Sequence, residues 1–341
     1  MPQRSTDRLV DEIGIREASQ QCRVAGILFT YRCSIRCRHC LFGCAAERPD
    51  VAMTPRQCAD ALALLHETGR IVHVAGGEAM LYWERLAEAA VLAHAEGNAP
   101  HFIETNCSFA VNDAVVRERL GFLKAHGMRG VLASADPFHQ EHVPPARFLR
   151  VRRIAVELFG ERNFYGSFKP DAEIEALTHV TRDEERLRAY VRAASLAMVG
   201  TAQRELAKHR DALPFDHADL PSFQWRRADS GTGCAGQFRA ETMWELHVDP
   251  YGNIQTNCGM ILGNTARTTP ARVLAEGPER ANRFIQLVCE RGPLALAQLA
   301  HREHGFPIPA SVTQSCELCY LTRKHLRQFH PEVFGPAEVY D

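Results

Sequence analysis

The sequence predicts an α/β fold, a parallel sheet of repeated strand–helix units forming an open or closed barrel, followed by a smaller α+β module. Two observations carry this. Short apolar runs alternate with amphipathic segments at intervals of about 25–35 residues, the spacing of right-handed crossovers. Near residue 231 the pattern changes to a turn-separated pair of alternating segments, the mark of a hairpin.

The elements justify this in order. Val24–Tyr31 is apolar throughout, as suits a strand buried on both faces. Thr54-Pro55 reads as N-cap and first helical residue of a helix through Ala61, Leu62, Leu64 and Leu65, which stops near Gly69. Strands are expected at Ile71–Ala75, His101–Glu104, Val131–Ser134 and Phe164–Phe168, with a sixth strand at Ala197–Val199. The intervening helices are Glu84–Ala95, Asp113–Ala125 capped by Asn112, Pro145–Leu158 and Arg182–Leu196. The domain plan is an extension over 1–22, a partial barrel of six strand–helix units over 23–204, a Pro/Asp-rich bridge over 205–230 and a second module over 231–341. In that module Trp244–Val248 and Ile254–Thr256 flank the turn Asp249-Pro250-Tyr251-Gly252-Asn253. Helices follow around Ala271–Glu276, Glu279–Glu290 and Leu321–Phe329.

Composition narrows the function. The 341 residues carry a net charge of −1 with no block of like charge, so there is no electrostatic footprint for nucleic acid. Arg147, Arg150, Arg152 and Arg153 read as a solvated helix face. No run approaches the roughly 18 apolar residues of a membrane span, and the polar start lacks a signal-peptide core. A cytoplasmic protein without nucleic-acid or membrane partners is expected. There the 12 cysteines point to metal or redox chemistry rather than disulfides.

The first strand runs into Cys33-Ser34-Ile35-Arg36-Cys37-Arg38-His39-Cys40. Three thiolates at C-x3-C-x2-C can hold an iron–sulfur cluster by three corners and leave one iron open. With Cys44 the same stretch reads as a closed four-thiolate site for zinc or an electron-transfer cluster. The other strand ends carry Gly76-Gly77-Glu78, Thr105-Asn106-Cys107-Ser108, Ser134-Ala135-Asp136-Pro137-Phe138-His139 and Gly200-Thr201-Ala202. Each alone is ordinary turn chemistry. Together they crowd backbone donors, glycines and carboxylates around the cysteine loop. In the second module Cys234, Cys258, Cys316 and Cys319 give C-x23-C-x57-C-x2-C, enough for a cluster or a zinc site. Cys22, Cys58 and Cys289 read as core residues.

The cysteine loop with His39 in its aromatic place, followed by Gly76-Gly77-Glu78, resembles the radical S-adenosylmethionine (SAM) enzymes. The resemblance implies a TIM-like partial barrel in which Cys33, Cys37 and Cys40 hold a [4Fe–4S] cluster whose open iron chelates SAM. It implies SAM contacts from His39, Gly76, Gly77, Glu78, Thr105, Asn106, Ser134, Asp136 and Gly200, and an electron donor such as flavodoxin or ferredoxin. The order of cysteine, hairpin, cysteine and final C-x2-C is similar to the Twitch domain, the shortened relative of the SPASM domain. That likeness implies a second, auxiliary [4Fe–4S] cluster on Cys234, Cys258, Cys316 and Cys319.

Nearly the whole chain is similar to radical SAM peptide epimerases of the epipeptide type, which return hydrogen from a cysteine thiol. Related sequences act on aminoglycoside sugars. The implied substrate is a peptide or small sugar-like natural product. Where those epimerases have a cysteine doublet this chain has Asn257-Cys258, so Cys258 is left as a ligand. Cys107, then Cys44, are the expected hydrogen donors for epimerisation, with His139 as base or substrate contact. The rival outcome is dehydrogenation or crosslinking through the auxiliary cluster. The rival class is a non-catalytic iron–sulfur or zinc protein.

Overall fold

The computed structural model describes residues 4–214 and 233–340. They divide into two compact units, the first made of 4–36, 44–182 and His247–Gly252, the second of 37–43, 183–214, 233–246 and 253–340. Residues 215–230, the larger part of the expected bridge, and the first two residues of the expected second module lie outside the described residues.

In the first unit five parallel strands lie in the order β5-β4-β3-β2-β1. They are β1 (Val24–Leu28), β2 (Ile71–Ala75), β3 (Phe102–Thr105), β4 (Gly130–Ala133) and β5 (Phe164–Tyr165). β1 and β2 are buried at every position, which is why they read as unbroken apolar runs rather than alternating ones. Their register pairs Val24 with Ile71 and Leu28 with Ala75. Thr105 of β3 faces Ala133 of β4. Parallel pairing brings the C-terminal ends of β1 to β4, and the loops that leave them, to one edge of the sheet.

The crossovers are helical. Thr54 caps α3 (Pro55–His66) in a reciprocal box with Gln57, and Asn112 caps α5 (Asp113–Ala125) through the Val115 N–H. α4 (Trp83–Ala95) and α7 (Pro145–Phe159) complete the layer. The 1–22 segment folds as α1 (Ser5–Ile13) and α2 (Ile15–Cys22). These helices are tied to the sheet unit where Asp7 meets His101 Nε2 at 3.1 Å and Asn163 accepts from the Ile15 N–H at 3.1 Å. Of the four arginines of α7, Arg150 and Arg153 pair with Asp113 and Arg152 with Asp171, while Arg147 donates to the Ser108 carbonyl.

Several expectations are corrected. The fifth strand is two residues long, not five. The sixth strand at Ala197–Val199 does not form. Those residues are buried, but the Val199 N–H turns back to the Ala197 carbonyl and one side chain meets the backbone on either side of Ala197. Gln314 Oε1 accepts from the Met198 N–H, and its amide nitrogen donates to the Leu196 carbonyl, both at 2.9 Å. A side-chain amide thus replaces the ladder partner. β7 (Glu245–Val248), from far along the chain, is the strand beside β1, so the partial barrel is not six units in sequence order.

In the second unit α9 (Glu184–Ala193), shorter than expected at both ends, starts at its Asp183 cap. β8 (Asn253–Thr256) and β9 (Ile261–Asn264) pair antiparallel, with an irregularity between Ile254 and Gln255. β6 (Leu213–Pro214) pairs with β10 (Ser311–Val312). After α11 (Pro270–Glu276), α12 (Arg283–His304) is kinked at Gly292-Pro293 and packs on both the 233–237 turn and α13 (Ser315–Leu326). α13 begins six residues before the basic helix expected at Leu321, so Cys316 and Cys319 lie in its first two turns. Two short helices complete the set, α6 (Pro137–Gln140) and α8 (Asp171–Ala176) in the first unit, and α10 (Thr201–Glu205) lies in the second. Among the described residues no helix is long and apolar enough to cross a membrane.

The Thr54 box has a measurable consequence. Thr54→Ala leaves the Gln57 N–H without its cap and lowers stability by about 1 kcal/mol in urea denaturation, with the slope against urea unchanged.

Candidate active site at the strand ends

Gly76-Gly77-Glu78 is pinned to the chain that leaves β1. The Gly77 N–H donates to the Thr30 carbonyl at 2.7 Å and the Glu78 N–H to the Arg32 carbonyl at 3.1 Å. The approach is so close that a Cβ on Gly77 would sit 1.9 Å from the Arg32 carbonyl oxygen. Only glycine fits there. The Cys33 N–H in turn donates to the Ala45 carbonyl at 3.1 Å, which closes the base of the cysteine loop.

Glu78 is buried and fully engaged. Its carboxylate accepts from the Asn106 N–H at 2.7 Å, from Thr105 Oγ1 at 3.1 Å and from the Met80 N–H at 3.2 Å. Burial pushes its acid constant up to about 7 against the pull of these donors. A buried carboxylate held by neutral donors alone is suited to receive an ammonium group. Beyond it, the Asn106 amide donates to Cys33 Sγ at 3.3 Å and to Ser34 Oγ at 3.1 Å, and Ser34 reaches Ser108 Oγ at 2.7 Å. Cys33, Glu78, Thr105 and Asn106 are therefore one connected network. Ser134 joins it by backbone only, its N–H donating to the Thr105 carbonyl.

Asp136 does something different from its neighbours. Its Oδ1 caps α6 through the Phe138 and His139 N–H groups, and its Oδ2 lies 2.5 Å from His139 Nδ1. The imidazole is thereby oriented, with its Nδ1 committed to Asp136.

In the second unit the Cys40 carbonyl accepts from the Thr201 N–H at 3.0 Å, and Gly200, at φ 58°, packs so tightly that a Cβ would lie 2.3 Å from that oxygen. Gly200 thus holds the cysteine loop by its backbone. Cys37 and Cys40 are joined by a Cys40 N–H to Cys37 carbonyl bond of 3.2 Å, and His39 lies between them in the same turn.

The two expected hydrogen donors are shut away. Cys107 is 0% exposed, at φ 65°, its thiol held far up the scale by burial and by the charge of Glu78. Cys44 is 4% exposed.

The C-terminal thiols converge, and they bring a fifth. The Cys234 thiol is held well up the scale by burial and then by the nearby thiols of Cys316, Cys319, Cys258 and Cys289, all within the second unit. Cys289 was expected as a core residue on its helix. The packing of α12 against both the 233–237 turn and α13 brings it to the group, and burial holds its thiol up at about 12. Cys58 is buried at 1% as expected, while Cys22 is partly exposed at the end of α2. Also unforeseen is a buried pair in the sheet, His73 and His247, whose rings meet edge-on at 5.8 Å over Gly26, with His73 Nδ1 3.3 Å from Glu104.

The residues present fit the groups that the strand ends imply. All 12 cysteines are unbridged, an amide already donates to one thiol of the loop, and the glycines leave backbone room that a side chain would fill. Residues 27–159 match the Radical SAM superfamily, so the chain carries a radical SAM domain. No curated protein matches the chain. A domain of that kind implies an enzyme of SAM-derived radical chemistry with a [4Fe–4S] cluster.

Glu78 makes the site sensitive to pH in protein stripped of iron and SAM. Its folded acid constant lies above the ordinary 4.5, so the native state holds the proton more tightly than the unfolded chain. The stabilisation is fully present below about pH 4.5 and is lost as pH rises to about 7, a change on the order of 3 kcal/mol. Glu78→Gln flattens that part of the stability–pH curve, read by urea denaturation at pH 4.5 to 8.

Proposed function

We propose that the protein is a radical SAM enzyme that removes hydrogen from an unactivated carbon of a peptide or sugar-like natural product. The observation that carries this is the network in which Thr105 and Asn106 donate to Glu78 and the Asn106 amide donates to Cys33 Sγ. When bound, the cluster and SAM supply a 5′-deoxyadenosyl radical on reduction. Cys33, Cys37 and Cys40 would hold the iron. Glu78 would accept from the SAM ammonium, the Gly76-Gly77 backbone would leave room for its methionine part, and Asn106 would donate to the Cys33 sulfur. His139, oriented by Asp136, is the residue suited to contact or deprotonate substrate. Cys234, Cys258, Cys316 and Cys319 would hold the second cluster of a Twitch-like unit, with Cys289 as an additional thiol. The partners are a small electron-donor protein and the substrate.

The fate of the substrate radical divides two readings. Epimerisation, which the family resemblance favours, needs a thiol within reach of substrate. The burial of Cys107 and Cys44 favours the other reading, in which the substrate radical would pass one electron to the auxiliary cluster and lose a proton, giving a dehydrogenated or crosslinked molecule.

Two experiments test this. After anaerobic reconstitution the native protein holds about eight irons per chain and the Cys33→Ala/Cys37→Ala/Cys40→Ala variant about four, and only the native form releases 5′-deoxyadenosine under reductant. Retention of about four irons by the native protein and almost none by the variant would remove the second cluster. Little iron and no SAM cleavage in either would overturn the enzymatic reading. Once a peptide or aminoglycoside that stimulates SAM cleavage is in hand, turnover in heavy water leaves the product free of solvent deuterium and survives Cys107→Ala. Deuterium at the attacked carbon, lost in Cys107→Ala, would establish epimerisation instead.

A further inference from the structure

Arg323 on α13 is 0% exposed, one of the largest fully buried side chains of the protein. Burying a guanidinium costs several kcal/mol unless an anion is close. Among the described residues no carboxylate forms an ion pair with it. Its Nη1 donates to the Cys258 carbonyl and, at 3.0 Å, to the Tyr340 hydroxyl, while Nε and Nη2 meet no hydrogen-bond acceptor of ordinary geometry. The rings of Tyr320 and Tyr340 lie 5.8 and 5.6 Å from its carbon, which gives a cation an aromatic lining but not a countercharge. The acidic groups that act on it most strongly, besides those two tyrosines, include the thiols of Cys319 and Cys258. Cys319 precedes Arg323 by one turn of the same helix, the spacing at which side chains share a face.

We propose that the Arg323 guanidinium is the fixed countercharge of the cluster held by the C-terminal thiols, donating from Nε and Nη2 toward its sulfur and raising its reduction potential. The proposal rests on the second-cluster reading given above. Four thiolates and an oxidised [4Fe–4S] core make a dianion, and uptake of one electron makes a trianion with no proton moved. A cation locked beside it in a low-dielectric interior stabilises the trianion more than the dianion. Arg323 is here a positioning and tuning residue, since it reaches the redox step through the cluster. A planar guanidinium suits this better than lysine, being permanently charged and weakly hydrated. Tyr340, which accepts from Nη1 and stacks on Tyr320 at 5.4 Å, fixes its orientation.

The test uses the full chain with Cys33, Cys37 and Cys40 changed to Ala, so that only C-terminal iron is read. Potentiometric titration followed by electron paramagnetic resonance gives the midpoint of that cluster, with circular dichroism as the check on folding. Arg323→Gln, at unchanged iron content, lowers the ratio of reduced to oxidised cluster at fixed potential at least tenfold, which is 59 mV for one electron. Arg323→Lys, which keeps the charge, shifts it by less than half as much. An unchanged midpoint in Arg323→Gln with iron retained would overturn the role of Arg323 while leaving the cluster reading intact. Absence of iron from the parent would overturn the cluster and the proposal with it. Should Arg323→Gln fail to fold, Arg323→Lys decides: a midpoint within 30 mV of the parent sustains the charge role, and a fall of 59 mV or more overturns it.

Discussion

The close approach of Gly77 to the Arg32 carbonyl is the constraint on which the candidate active site depends. Two backbone hydrogen bonds, from Gly77 to Thr30 and from Glu78 to Arg32, lay the second strand end along the chain that enters the cysteine loop. With no side chain in the way, the Glu78 carboxylate is delivered to Thr105 and Asn106, and through Asn106 to the Cys33 sulfur. A parallel sheet supplies the coarse placement, since all its strand ends share an edge. The glycine supplies the fine placement.

The network is built to be completed. A buried carboxylate held by three neutral donors, its acid constant near neutrality, is tolerated at modest cost as a neutral acid and becomes strongly favourable as an anion when a cation arrives. The same logic appears inverted in the second unit, where a buried guanidinium stands among thiols with two donor atoms uncommitted. Each half of the protein thus buries one charge whose natural partner is a group of opposite sign, and both lie beside cysteines.

Burial also bears on the fate of a substrate radical. The Cys107 thiol follows Asn106 on the same strand-end loop, and from the order of residues it looked like the natural hydrogen donor. The left-handed backbone at Cys107, together with the bond its N–H donates to Thr105 Oγ1, turns the chain there and leaves the side chain with no exposed surface. A position in sequence names the loop; it does not name the side of the loop on which a thiol ends.

The sequence by itself determined what local patterns can carry. The unbroken apolar runs marked β1 and β2, because strands buried on both faces have no polar alternation, and the Thr54 and Asn112 caps marked helix starts, because their acceptors lie within three residues. The C-x3-C-x2-C loop and the Gly-Gly-Glu turn were legible for the same reason: their chemistry is encoded in contiguous residues. Only the tertiary structure decided the rest. That Ala197–Val199 is not a strand depends on Gln314, more than a hundred residues away, meeting the backbone on either side of Ala197. That β7 lies beside β1, that Cys289 joins the C-terminal thiols and that Arg323, among the described residues, is buried without a carboxylate all depend on how distant segments pack. Local propensity carries no information about which far-off side chain will meet a buried donor, thiol or charge, and at those positions packing decided the chemistry.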